Sequence, residues 1–101
     1  MFNKLDNKSL LKNTMIFYVY MLKSMSVKTV TYVGYTNNLK KRIDLHNSGK
    51  GAKFTKGRKW VLIYKEKCKS KSEAISREYY IKNNRSLRNK LKNENFNTTS
   101  L

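Results

Sequence analysis

Hydrophobic and aromatic side chains along this chain gather in short stretches set among basic and polar ones. Residues 15–22, Met15-Ile16-Phe17-Tyr18-Val19-Tyr20-Met21-Leu22, form an unbroken run. Residues 29–36 alternate Thr, Val and Tyr around Gly34, and Trp60-Val61-Leu62-Ile63-Tyr64 forms a third block. All three are rich in β-branched and aromatic residues, which predicts strands. The spacer from Lys23 to Lys28 is short enough for a hairpin, and the first run is apolar throughout, as a central strand requires. With the turn centred near Ser26, Tyr20 would face Tyr32 across the hairpin, with Cβ atoms roughly 5 Å apart.

Helical spacing follows the second and third blocks. Cap-type residues Thr36, Asn37 and Asn38 precede Leu39, Ile43 and His46, which recur at the period of one helix face. Arg42 and His46 are four apart and project from neighbouring points flanking that stripe. A second helix is predicted from Ser72, read as its cap, through Lys82, with Ala74, Ile75, Tyr79 and the stem of Lys82 turned inward. Glu78 falls between Ile75 and Tyr79 on that face. A carboxylate there is costly unless it is paired or binds a metal. A short basic helix is expected within 82–92, starting near Ser86, followed by a flexible tail over 93–101.

Charge narrows the partners. The 101 residues carry 23 Lys and Arg against 6 Asp and Glu, a formal charge of +17, and the pI is near 10.2. Such a chain attracts polyanions. Lysine supplies 18 of those cations and asparagine occurs 12 times, so part of the charge matches what an AT-rich genome favours. The local signal is sharper: Gly49 to Trp60 holds five cations, two aromatics and three of the four glycines. Amides and cations in such a loop can grip phosphates while an aromatic stacks on a base. Lys50, Lys53, Lys56, Arg58 and Lys59, with Lys41 on the preceding helix, are the candidate nucleic-acid contacts, and Trp60 is expected to enter the core.

The length suits one domain with a modest core. A single cysteine, Cys68, excludes an internal disulfide, and one histidine with no cysteine pair argues against zinc. Residues 1–14 read as a basic extension. Together with the apolar run they mimic a signal peptide, but that run is too short to span a membrane and lacks a small-residue cleavage site. A cytoplasmic location without membrane attachment is the expectation, nucleoid-associated if the source is bacterial.

The ordered set of motifs resembles the GIY-YIG nuclease family, in particular its small single-domain bacterial branch. The residues carrying the resemblance are Val19-Tyr20, Tyr32-Val33-Gly34 with Thr36, Asn38-Leu39, Arg42 and His46, then Gly49-Lys50-Gly51-Ala52-Lys53-Phe54-Thr55, and Glu73-Ala74 through Glu78. They span about residues 16–92, and the domain is delimited at 15–92. The first motif reads Tyr18-Val19-Tyr20, without a leading glycine. The resemblance implies an α+β fold, a small three-stranded antiparallel sheet flanked by helices, and metal-dependent hydrolysis of phosphodiester bonds in DNA. It also implies that Tyr20 and Tyr32 are the motif tyrosines, Arg42 and His46 the helical pair and Glu78 the metal-binding glutamate. An asparagine used by some relatives has four candidates, Asn83, Asn84, Asn89 and Asn93.

Phosphodiester hydrolysis needs an aimed and deprotonated water, stabilisation of charge on the phosphoryl oxygens and neutralisation of the leaving oxygen. One Mg²⁺ or Mn²⁺ ion needs only one carboxylate here, because Mg²⁺ keeps several waters and takes other ligands from phosphate. Arg42 suits a bidentate phosphate clamp. Tyr20 is expected to help activate water, with Tyr32 positioning it or the phosphate and the reverse order open; His46 would orient a tyrosine or relay a proton. No small-molecule cofactor is expected. Selectivity for DNA shape, in repair, recombination or processing, is the expected role. The alternatives are a non-catalytic nucleic-acid-binding adaptor and a catalytic subunit directed by a protein partner.

Overall fold

The computed structural model describes residues 16–99, with side chains to Glu94. The extension expected over 1–14 and the last two residues of the expected tail lie outside the described residues. Strands β1 (Phe17–Ser24), β2 (Thr31–Thr36) and β3 (Trp60–Cys68) form one antiparallel sheet in the order β2-β1-β3. Helices α1 (Leu39–Asn47), α2 (Lys71–Lys82) and α3 (Arg85–Thr99) flank it, and a 3-10 turn spans Lys53–Thr55. This is the expected α+β architecture. α3 starts one residue before Ser86 and continues past residue 92 to Thr99.

The unbroken apolar run of β1 is explained by its central place, since alternate side chains enter two separate cores. Val19 and Met21 pack with Val33, Ile63, Cys68, Ala74, Ile81 and Leu91 on the side of α2 and α3. Tyr20 and Leu22 pack with Trp60 on the other side, where Leu39 and Ile43 of α1 close over them. Trp60 is buried as expected. A bulge at Ile63 shifts the β1–β3 register between Met21 and Leu22, so that Ile63 and Tyr64 both serve the α2/α3 core.

Two features differ from the sequence reading. The hairpin register places Tyr20 opposite Gly34, and Leu22 opposite Tyr32, two residues from the expected pairing. Ser24 closes the longer turn: its N–H donates to the Val30 carbonyl and its hydroxyl accepts from Val30 N–H, both at 2.9 Å. A two-residue slip preserves the side-chain face, so Tyr20 and Tyr32 remain neighbours, now diagonally, with ring centroids 6.4 Å apart.

The second difference is the rotation of α2. Its buried line is Ala74 and Ile81, whereas Ile75 is 44% exposed and Tyr79 70% exposed. Ala74 is small enough to let the helix approach the sheet. Arg77 locks the rotation by donating to both oxygens of Glu66 on β3, at 2.5 and 2.9 Å, while Tyr64 donates to Glu66 at 2.7 Å. The Arg77 fork holds the Glu66 carboxyl below the usual carboxylate range. Ser70, not Ser72, caps α2, accepting from Glu73 N–H while the Glu73 carboxylate accepts from Lys69 N–H.

No helix among the described residues is long and apolar enough to cross a membrane. Ile81→Ala should remove the main anchor of α2 and destabilise the domain by about 2–5 kcal/mol, read from urea unfolding; a loss below about 1 kcal/mol would mean that α2 is held mainly by its polar contacts.

Candidate active site

The site is built on the Tyr20–Gly34 pair. The Tyr20 ring lies across Gly34, where a Cβ would stand 2.5 Å from the phenol oxygen and 2.8 Å from Cζ. Glycine at this position therefore serves the packing of the tyrosine rather than a backbone turn. Tyr32 sits alongside, its ring 4.9 Å from the His46 imidazole and 6.4 Å from Trp60, measured between centroids. Phe54 stacks on the outer side of Tyr32 at 6.3 Å.

Helix α1 delivers Arg42 and His46 because Asn38 fixes its start, accepting Lys41 N–H at 3.2 Å. His46 is completely buried, and its Nε2 is 2.8 Å from the Tyr20 hydroxyl. Arg42, one turn earlier, has a buried Nε with no hydrogen-bond partner among the described residues. A buried guanidinium donor without a partner is costly; the Arg42 side chain also lines the adjoining pocket and bears on the Tyr20 phenol.

That pocket, about 390 Å³, is lined by Tyr20, Tyr32, Gly34 and Arg42 together with Glu78 and Lys71 of α2 and Phe17, Tyr35, Thr36 and Asn37. Four of the five expected site residues thus meet in one concavity. His46 stands behind Tyr20 and reaches the pocket only through it. Glu78 lies on the line of Ala74 and Ile81, which explains its inward position although Ile75 and Tyr79 point outward. Its side chain is 19% exposed, with Lys82 Nζ 3.6 Å away and half exposed. So loose a pair adds little stability and leaves the carboxylate open to another cation. No cluster of three His, Cys, Asp or Glu exists among the described residues. Glu78 would be the single protein carboxylate of a hydrated divalent ion, which fits Mg²⁺ or Mn²⁺ and not zinc.

Burial pushes the Tyr20 phenol up to about 12, against the opposing pull of Arg42. Burial, aided by the Arg42 charge, lowers the His46 pKa below its usual value. Both groups are therefore neutral near pH 7, a phenol hydrogen-bonded to an imidazole.

The basic loop stands beside this centre. Asn47 closes its base by accepting Trp60 N–H at 2.6 Å and donating to the Trp60 carbonyl at 3.2 Å. Lys50, Lys53 and Lys56 line one concavity of the loop, with Gly49, Gly51 and Ala52. Arg58 and Lys59 line another. Arg58 is partly committed, donating to the Phe54 carbonyl and lying 5.1 Å from its ring centre. Lys41 is exposed on α1. Of the asparagine candidates, Asn83 caps the end of α2 and Asn84 the start of α3, while Asn89 and Asn93 are exposed on α3. The asparagine that lines the pocket is Asn37, overlooked because it reads as a helix cap. Lys71 has no signal in the sequence; Gly51 and Thr55 stand in the segment that carries the resemblance, but with no role assigned to either.

Two outcomes check this geometry. Gly34→Ala should displace the Tyr20 ring and lower the melting temperature by several degrees, as about 1–3 kcal/mol of overpacking does in a small domain; an unchanged melting curve would refute the close contact. Because the native His46 pKa is depressed, the unfolded chain binds a proton first. Stability should therefore fall as pH drops below about 6.5 and level off once native His46 also titrates. That segment of the stability–pH curve should flatten in His46→Gln.

Comparison with known proteins agrees with the geometry. Residues 16–93 match the model of the GIY-YIG catalytic domain. The chain is 56% identical over 66 residues to a UPF0213 protein of Clostridium perfringens, covering 64% of this chain and 69% of that one. It is 53% identical over 66 residues to a UPF0213 protein of Staphylococcus haemolyticus, covering 64% and 78%. To the UPF0213 protein YazA of Bacillus subtilis it is 49% identical over 71 residues, covering 69% and 68%. No solved structure matches. With its motif tyrosines, Arg42 and Glu78 gathered round one pocket and the family's domain matched over most of its length, the chain belongs to the GIY-YIG nuclease family.

Proposed function

We propose that this protein is a metal-dependent DNA endonuclease that hydrolyses phosphodiester bonds and selects DNA by shape. The observation that carries the reading is one pocket lined jointly by Tyr20, Tyr32, Arg42 and Glu78. A guanidinium lining such a pocket is suited to clamp a phosphodiester.

In this reading Glu78 would hold a Mg²⁺ or Mn²⁺ ion, which supplies charge neutralisation at the phosphoryl oxygens. Arg42 clamps a non-bridging oxygen and fixes the phosphorus for in-line attack. Tyr20 handles the proton of the attacking water. Its raised pKa makes a free phenolate costly at neutral pH, so the phenol oxygen accepts the water proton as its own proton passes to Nε2 of neutral His46. Tyr32, packed against His46, Phe54 and Trp60, positions the phosphate or the water. Lys50, Lys53 and Lys56 hold the flanking backbone, with Lys41, Arg58 and Lys59 extending the basic surface. A domain of this size with one basic loop has little surface for reading base edges, which favours recognition of branches, nicks or single-stranded ends, as in repair or recombination.

The test is incubation of the purified protein with duplex, single-stranded, flapped and branched DNA in Mg²⁺, Mn²⁺ or EDTA. Cutting should require metal. Glu78→Ala should abolish it while leaving most DNA affinity, and Arg42→Lys should reduce it at least about a hundredfold, because a point charge does not reproduce the fork. Binding of every substrate without cutting would indicate an adaptor or a subunit awaiting a protein partner. Replacing Lys50, Lys53 and Lys56 together by Gln should weaken binding across sequences and lower the salt slope by up to about three units; an unchanged slope would remove this loop from the interface.

A further inference from the structure

Beyond the pocket, the far side of the His46 ring is held by a residue with no assigned part in the chemistry. Thr55, fully buried, places Oγ1 2.9 Å from His46 Nδ1. The same oxygen donates to the Ala52 carbonyl at 2.9 Å and accepts Ala52 N–H at 3.2 Å. A threonine hydroxyl has one proton and two lone pairs. The Ala52 carbonyl also accepts Thr55 N–H at 3.1 Å. Where the hydroxyl proton goes to that carbonyl, the oxygen meets Nδ1 as an acceptor and Nδ1 carries the imidazole proton; Nε2 then faces the Tyr20 hydroxyl as a lone pair and accepts its proton across 2.8 Å. The reverse tautomer would have Nε2–H donate to Tyr20, leaving the phenol proton to find an acceptor beside the Arg42 cation.

The surroundings hold Thr55 in register. Trp60 Nε1–H donates to the Thr55 carbonyl at 3.0 Å. Gly51 lies flat against the imidazole, where a Cβ would come within 2.8 Å of Cγ and 2.9 Å of the His46 Cα. The loop that carries the phosphate-binding lysines thus also grips the hidden side of the histidine.

We infer that Thr55 is a positioning residue that fixes His46 in the Nδ1–H tautomer, so that Tyr20 gives its proton to Nε2 and presents its oxygen lone pairs to the pocket. This rests on the nuclease reading above for its role in turnover, but not for the tautomer itself. The proton balance closes. As the water O–H bond breaks, the proton joins the Tyr20 oxygen and the phenol proton moves to Nε2. The hydroxide that results is available to attack phosphorus, and an imidazolium remains that Thr55 continues to hold through Nδ1–H. Without Thr55 the ring can turn over or change tautomer, and the phenol proton then points into the pocket.

The full chain labelled with ¹⁵N gives a direct test, since its one histidine makes the imidazole signals unambiguous. Long-range ¹H–¹⁵N spectra at neutral pH should show protonated Nδ1 and bare Nε2 in the wild type and in Thr55→Ser, and a shift toward the other tautomer in Thr55→Val. DNA cutting by Thr55→Val should fall about tenfold or more in kcat with DNA affinity unchanged, and Thr55→Ser should recover it. A wild-type spectrum with protonated Nε2 overturns the inference even if Thr55→Val does not fold. So does a Thr55→Val spectrum like that of the wild type, or equal loss of activity in Val and Ser. If the wild type cuts no DNA while the spectra come out as stated, the nuclease reading fails and the tautomer assignment stands.

Discussion

The structure of the site depends on one cross-strand contact, the Tyr20 ring laid over Gly34. That contact requires a residue without a side chain directly opposite the tyrosine, and it is met only in the register set by the Ser24–Val30 turn. From it the other distances follow. The phenol oxygen reaches His46 because the ring lies low against β2, and Tyr32 packs diagonally because Gly34 leaves it room. Arg42, one turn before His46 on α1, therefore meets the same pocket.

The centre sets two neutral groups beside the Arg42 guanidinium. Tyr20 and His46 are buried deeply enough that neither carries charge near pH 7. Arg42 Nε has no hydrogen-bond partner among the described residues. Across the pocket, Glu78 is held only by a half-exposed lysine. By contrast the Glu66–Arg77 pair that ties α2 to β3 is a tight fork. The fold thus satisfies the carboxylate that orients the helix and leaves available the one that faces the pocket.

The basic loop joins these two halves of the design. Asn47 and Trp60 close its base, Thr55 inside it holds His46, and its lysines remain in solvent. One segment therefore couples the surface that would meet a polyanion to the imidazole behind Tyr20.

Local chemistry made much of this legible in the sequence. The doubly buried β1 announced itself as an unbroken apolar run, the Asn38 cap and helical spacing located α1, and the ordered motifs singled out Tyr20, Tyr32, Arg42, His46 and Glu78. Period-two alternation fixed which face each tyrosine occupies, which is why a pairing error of two residues did no harm to the site. The sequence could not give the register itself, which depends on how the Ser24 turn closes. Nor could it give the rotation of α2, which Ala74 packing and the Arg77–Glu66 fork decide against the apparent stripe of Ile75 and Tyr79. Thr55 stood in the motif but without a role: its meaning arises only when tertiary folding carries its hydroxyl to Nδ1 of His46. Spacing along the chain determined the elements and their faces; contacts between elements, which spacing does not encode, decided who holds whom in the site.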